Sequence, residues 1–303
     1  MSSTHKKSLI YILTAAFLWG CSGVFFKELS VFGFNTMQIV FLRTSSAAVM
    51  LGIWLVITDR KAFRIKPRDA WCFIGTGLLS LLLFNWSLYE AITLNGIAIS
   101  FVLLYTAPAF VTVLSAWLFN EKLNLPRWGI LIIVLLGCTL VSGIAGITDV
   151  NVNGVLFGLS SGFGYALYSI FGRYALNREY KPQTISFYTF ALCAVGSAIL
   201  SFVSPGIGSI LEFPQFNVFV IILIILLGSA GCLFPYVLYT KGLAGVTGAQ
   251  ASMTATLEPV VAAFIGVFIY NETLSVWQGF GAILIIGSIL LLSISSKSNP
   301  LPE

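Results

Sequence analysis

The sequence predicts an all-α integral membrane protein, with ten transmembrane helices arranged as two inverted five-helix repeats around a central cavity. Three observations predict it: a composition too poor in charge to face water, apolar runs whose basic flanks fall on one side, and an internal repeat with an odd number of spans per copy.

Of the 303 residues 58% are apolar and only 9% are charged, and mean hydropathy is +0.96. A soluble domain carries about 25% charged residues, so lipid is the expected solvent. The net charge of +5 then reports which side the loops face and gives no reason to expect a nucleic-acid partner. Cys21, Cys72, Cys138, Cys193 and Cys232 stand alone inside apolar runs without a C-x-x-C, which predicts packing as small apolar residues. Lys6 and Lys7 before an apolar run, with Leu18-Trp19-Gly20-Cys21 further on, are arranged like a signal peptide with a lipoprotein box. Bulky Trp19 fits poorly where a small residue is wanted, so this stretch is expected to be an uncleaved first span.

A membrane-crossing helix needs about 20 mostly apolar residues. The runs are 9–28, 35–58, 70–92, 95–119, 127–145, 153–176, 183–204, 217–241, 245–270 and 275–295. Charges or turn residues mark most of the breaks, as at Asp59-Arg60-Lys61, Asn120-Glu121-Lys122, Asp149, Lys181-Pro182, Pro205-Gly206 and Asn271-Glu272. With ten spans, all but two of the 16 Lys and Arg fall on one side: Lys6, Lys7, Arg60, Lys61, Arg64, Lys66, Arg68, Lys122, Arg127, Arg173, Arg178, Lys181, Lys241 and Lys297. The exceptions are Lys27 and Arg43. Positive loops stay inside, which predicts a cell (inner or plasma) membrane protein with both termini cytoplasmic.

The halves repeat. Pro108 to Phe119-Asn120-Glu121-Lys122-Leu123 matches Pro259 to Tyr270-Asn271-Glu272-Thr273-Leu274 at one offset. Leu88-Tyr89 matches Leu238-Tyr239, and Trp19, Phe25 and Lys27 match Tyr165, Phe171 and Arg173. Five spans per copy force the second copy to enter from the opposite side, an architecture common in secondary transporters, with the substrate site near the midplane between copies.

Tyr105-Thr106-Ala107-Pro108 with Asn120-Glu121-Lys122-Leu123, and Leu257-Glu258-Pro259 with Asn271-Glu272-Thr273-Leu274, resemble the repeated signature of the EamA family of the drug/metabolite transporter superfamily. So does Trp19-Gly20. The resemblance covers two units, 9–143 and 154–293. It departs where relatives often have Gly before the acidic residue and this chain has Asn120 and Asn271. It implies ten helices around a cavity walled mainly by spans 1, 3, 4, 6, 8 and 9, and transport of small metabolites, often export of amino acids or related compounds.

Glu258 lies some 13 residues into its run, roughly 20 Å deep at 1.5 Å per residue. An ionisable group there costs about 2.5–3.5 kcal/mol on insertion scales. It reads either as a proton-coupling or cation-binding carboxylate or as a neutral acid hydrogen-bonded to a neighbouring helix. The matching residue of the first copy is Ala107. Pro108 and Pro259 free the carbonyls of Leu104 and Ala255, which would bind a substrate ammonium, act as hinges, or mark simple packing kinks. Pro235 is a third flexible point. Arg43 would attract a substrate carboxylate, snorkel to the interface, or pair with an acid such as Glu90, itself an alternative gate residue. Lys27 and Glu28 are expected to be solvated at the outer boundary. Trp19, Trp86, Tyr89, Tyr105, Tyr165, Tyr168 and Tyr236 fall in the expected cavity helices, where they stack on substrate or pack helices. Asn85 with Tyr89, Tyr165 with Tyr168, and Thr254 with Glu258 have same-face helical spacing. Glu121 and Glu272, at helix ends, are expected to hold a loop and neighbouring helix in place. Gly158 and Gly162 permit close helix contact.

Taken together, these residues predict a secondary transporter of a small amine-bearing metabolite, working by alternating access with protons as a candidate coupling ion. A channel or facilitator without coupling remains the main alternative. One histidine, His5, leaves no H-E-x-x-H and no Ser-His pair, and there is no G-x-x-x-x-G-K-[ST]. Neither catalysis nor a cofactor nor a bound metal is expected, and only an enzyme using carboxylates alone stays open.

Overall fold

The computed structural model describes residues 3–121, 125–143, 150–203 and 213–295. Lys122, Leu123, Asp149, Pro205, Gly206 and Lys297, named above, lie outside them. Among the described residues there is no strand, eight helical segments are long and apolar enough to cross a membrane, and two further apolar helices are shorter.

In chain order the helices are α1 (Ser3–Val31), α2 (Thr36–Thr58), α3 (Ala70–Ile74), a π-helical segment π1 (Gly75–Leu82), α4 (Leu83–Leu104), α5 (Ala107–Phe119), α6 (Leu125–Val141), α7 (Val152–Leu176) and α8 (Pro182–Val203). They continue as α9 (Val218–Leu226), π2 (Leu227–Leu233), α10 (Phe234–Leu243), α11 (Gly248–Ala255), α12 (Leu257–Tyr270) and α13 (Val276–Ser295). Large apolar side chains cover the outside: Trp117 is 76% exposed, and Ile57 and Phe268 are each 79% exposed. Whole apolar faces of this kind are favourable only against lipid. Many buried hydroxyls bond back to their own helices, as in Thr44 to the Val40 carbonyl (2.7 Å) and Thr112 to the Pro108 carbonyl (2.6 Å).

The expected break between runs 70–92 and 95–119 falls at Gly96, at the start of the second run. Helical backbone runs from Ala70 through α4 to Leu104, and the single departure is Gly96, at φ 76° and ψ 174°. That conformation is open to glycine and strained for any other residue. Contacts along α7 show that the chain reverses there. Gly75 meets Phe171, Phe84 meets Gly164 and Asn95 meets Gly154 on the way out. Leu103 meets Gly158, Thr106 meets Gly162 and Phe119 meets Tyr174 on the way back. A Cβ at Gly162 would sit 2.9 Å from the Leu103 carbonyl oxygen, so the G-x-x-x-G is what lets α4 press backbone-to-backbone on α7.

The helix then breaks a second time. Tyr105 and Thr106 have ψ of 6° and −10°, and Pro108 sits in the first turn of α5. Thr256 has ψ of 3°, and Pro259 sits in the first turn of α12. Proline is tolerated in a first turn because its missing N–H has no intrahelical partner there anyway. Both helices also end alike, with Asn120 at φ 52° and Asn271 at φ 52°. Asparagine is the usual substitute for glycine in this left-handed conformation. π1 and π2 likewise stand just before α4 and α10 in the two halves.

Candidate functional site

The site begins with Gly20. A Cβ there would lie 2.6 Å from Val261 Cβ and 2.8 Å from the Glu258 carbonyl oxygen, so α1 packs directly on the first turn of α12. This places Trp19 inside the molecule. Its ring lies 5.1 Å from Tyr236, 5.5 Å from Tyr239 and 6.3 Å from Tyr165, centroid to centroid. The tyrosine hydroxyls are tied down in pairs: Tyr168 with Thr240 and Tyr239 with Ser169, each at 2.7 Å. Fixed hydroxyls and edge-to-face rings make a rigid aromatic wall.

Two small cavities flank Tyr165. The first is lined by Trp19, Ser80, Phe84, Tyr168, Tyr236 and Tyr239 among others. The second lies between the two helix breaks, lined by Leu104, Tyr105, Ala107 and Pro108 from one and by Ala255, Thr256 and Glu258 from the other. Each has a volume of about 10 Å³, the space of one water molecule. Neither cavity by itself has room for a small metabolite in this conformation. In the second cavity the Tyr165 hydroxyl donates to Glu258 Oε2 at 3.3 Å. Leu104 and Ala255, whose carbonyls the prolines leave without a donor, line the same space. Glu258 and Tyr165 thus bring a carboxyl group and a phenol to an otherwise largely apolar space, a pair that suits an ammonium group or a proton.

Arg43 is held differently from expectation. Its Nη2 donates to Asn85 Oδ1 at 2.6 Å, and Asn85 in turn donates to the Leu81 carbonyl at 2.6 Å. Glu90 is not its partner and makes no hydrogen bond or ion pair among the described residues. The short, fixed Asn85 amide reaches Arg43 directly.

Of the other expected site residues, Tyr89 packs against the main apolar core and lines neither cavity. Thr254 is buried and donates to the Gln250 carbonyl at 2.8 Å. The break at Thr256 separates it from Glu258, which is why helical spacing misplaced it. Pro235 sits in the first turn of α10, and Pro259 is buried in that of α12. Lys27 is exposed, as expected at the outer boundary, and also pairs with Glu272 at 3.6 Å and lies 3.4 Å over the Tyr270 ring. Residues not singled out from the sequence are Ser80, Phe84, Ser169, Tyr239, Ser252 and Thr256. Tyr239 was legible, because Tyr236 and Tyr239 repeat the spacing of Tyr165 and Tyr168 on the facing helix.

Comparison with known proteins points the same way. The EamA-like transporter family matches at residues 6–143 and again at 152–294. An uncharacterized transporter of Archaeoglobus fulgidus is 27% identical over 92% of this chain and 94% of its own. The uncharacterized transporters YwfM and YxxF of Bacillus subtilis are 23% and 24% identical, over 97% and 100% of this chain and 96% of each of theirs. One crystal structure shares the fold at a TM-score of 0.81 over 97% of this chain and 98% of that one, at 15% identity. With two family matches that together span nearly the whole length, this chain belongs to the EamA-like transporter family.

Proposed function

We propose that the protein is a secondary transporter, working as an exporter of a small amine-bearing metabolite such as an amino acid, by alternating access coupled to protons through Glu258. The observation that carries this reading is the second cavity, where matching residues of two broken helices face each other and only one contributes a carboxylate. The reversal at Gly96 supports a reading of ten crossings, divided into inverted units over 9–143 and 154–293. The matched breaks, Asn caps and π segments support that division. With basic loops inside, both termini face the cytoplasm of a plasma or inner membrane. An unladen Glu258 would hold a proton against Tyr165. An arriving ammonium would take the carboxylate and the Leu104 and Ala255 carbonyls in exchange for that proton, and the Trp19–Tyr236 wall would receive its apolar part.

Uptake of a labelled panel of amino acids, amines and purines into proteoliposomes tests the reading. A carrier gives saturable flux of at least one compound, accelerated by the same compound on the far side. Flux that neither saturates nor exchanges would identify a channel, and a wholly silent panel would reject the amine substrate class.

A further inference from the structure

Two ion pairs cross between the halves at opposite ends of the helix bundle. Each joins the basic residue of a half's first long helix to the acidic residue that follows the other half's broken helix. At one end Arg173 of α7 meets Glu121, just beyond α5, at 3.4 Å. At the other, Lys27 of α1 meets Glu272, just beyond α12, at 3.6 Å. The sequence pairs these same residues as repeat partners, yet the two ends differ in how they are built.

The pair at the Arg173 end is the more buried. The side chains of Arg173 and Glu121 are only 19% and 7% exposed. Arg173 Nη1 donates to the Val246 carbonyl at 2.7 Å, and Glu121 Oε1 accepts from the Gly248 N–H at 3.0 Å. One charge pair therefore ties α5, α7 and the start of α11 together through backbone groups. This is also the end of the basic loops, where Lys181 meets Asp59 and Arg178 meets Asp69. At the Lys27 end the side chains are 52% and 63% exposed, and among the described residues the pair engages no backbone group, only the Tyr270 ring.

We propose that these pairs are the two gates of the cavity: Glu121–Arg173 locks the basic end in this conformation, and Lys27–Glu272 tightens to lock the opposite end when the first opens. A charge pair buried with backbone partners is strong and geometrically demanding, whereas an exposed one contributes little. Exchanging which pair is buried gives two discrete packings of one bundle, as alternating access needs. The proposal rests on the alternating-access reading but needs no substrate to test.

The full-length chain with its five cysteines replaced by alanine would carry a reporter, Ser252→Cys, in the second cavity. Labelling by a membrane-impermeant maleimide is timed from each side in oriented vesicles. Glu121→Gln is expected to raise labelling from the basic-loop side about tenfold, with no rise from the other side. Arg173→Lys, which keeps the charge, gives a smaller rise on that same side. Glu272→Gln raises labelling only from the opposite side, by about threefold or less. A lock that needs no charge change guards against misfolding. A Cβ at Gly248 lies 3.7 Å from Ser115 Cβ, within disulfide range. Oxidised Ser115→Cys/Gly248→Cys protein should lose labelling from the basic-loop side and regain it on reduction. Equal effects on both sides, or a cross-linked protein still labelled from the basic-loop side, would overturn the gates. Side-specific changes alongside a silent transport panel would spare the gates and sink only the substrate reading.

Discussion

The two broken helices, α4–α5 and α11–α12, face each other across one cavity and can be compared residue by residue. Leu104 faces the role of Ala255, Tyr105 that of Thr256, and Ala107 that of Glu258. Backbone geometry is shared: a near-zero ψ before each proline-bearing turn and a left-handed Asn after it. Side-chain chemistry is not shared. One break presents an aromatic ring and a methyl group, the other a hydroxyl and a carboxylate. The comparison teaches that the repeated residues hold the shape, while the residues that differ between the copies bring the ionisable group to the cavity.

The largest effect is expected from moving the charge. Glu258→Ala combined with Ala107→Glu keeps one carboxylate in the same cavity but takes it from Tyr165. Gradient-driven accumulation in proteoliposomes should fall about tenfold or more, because only the second break is built to hold the charge. Equal activity would make the two breaks interchangeable. Next is Gly20→Val, which forces α1 off the turn that carries Glu258. Overpacking of this kind costs about 1–3 kcal/mol, visible as a lower unfolding midpoint in detergent.

Smaller and equal effects are expected at the shared caps. Asn120→Ala and Asn271→Ala should each cost about 1 kcal/mol, because alanine is strained at φ 52°. Asn→Gly at either site should be neutral. Unequal costs would break the equivalence of the two copies. The smallest effect lies outside both breaks. The Lys181 ammonium, bonded at 2.6 Å, holds the Asp59 carboxyl below its usual range. A lowered acid stabilises the fold above the ordinary carboxylate range and loses that contribution as pH falls through the lowered value. Wild type and Asp59→Asn should therefore differ slightly at neutral pH and converge only in strong acid, as followed by the unfolding midpoint against pH.

Much of this was legible in the sequence because a membrane imposes period and polarity so strongly. Apolar run length announced the helices, and Pro108 and Pro259 announced the breaks. Glu258 announced itself through the cost of a charge at that depth. What escaped were features set by contacts between distant segments. Gly96 reads as an ordinary residue until α7 shows that the chain turns back there. Asn85 as the partner of Arg43 depends on a packing distance that no spacing encodes. Thr254 was misplaced because the break at Thr256 resets the helical phase that the spacing argument assumed.

The most direct test compares wild type with Glu258→Gln for uptake of a transported compound, with and without an imposed pH gradient. The account predicts that the variant retains exchange at matched pH and loses accumulation driven by the gradient. Gradient-driven accumulation that survives the substitution would contradict it, and would return Glu258 to a structural role as the hydrogen-bond partner of Tyr165.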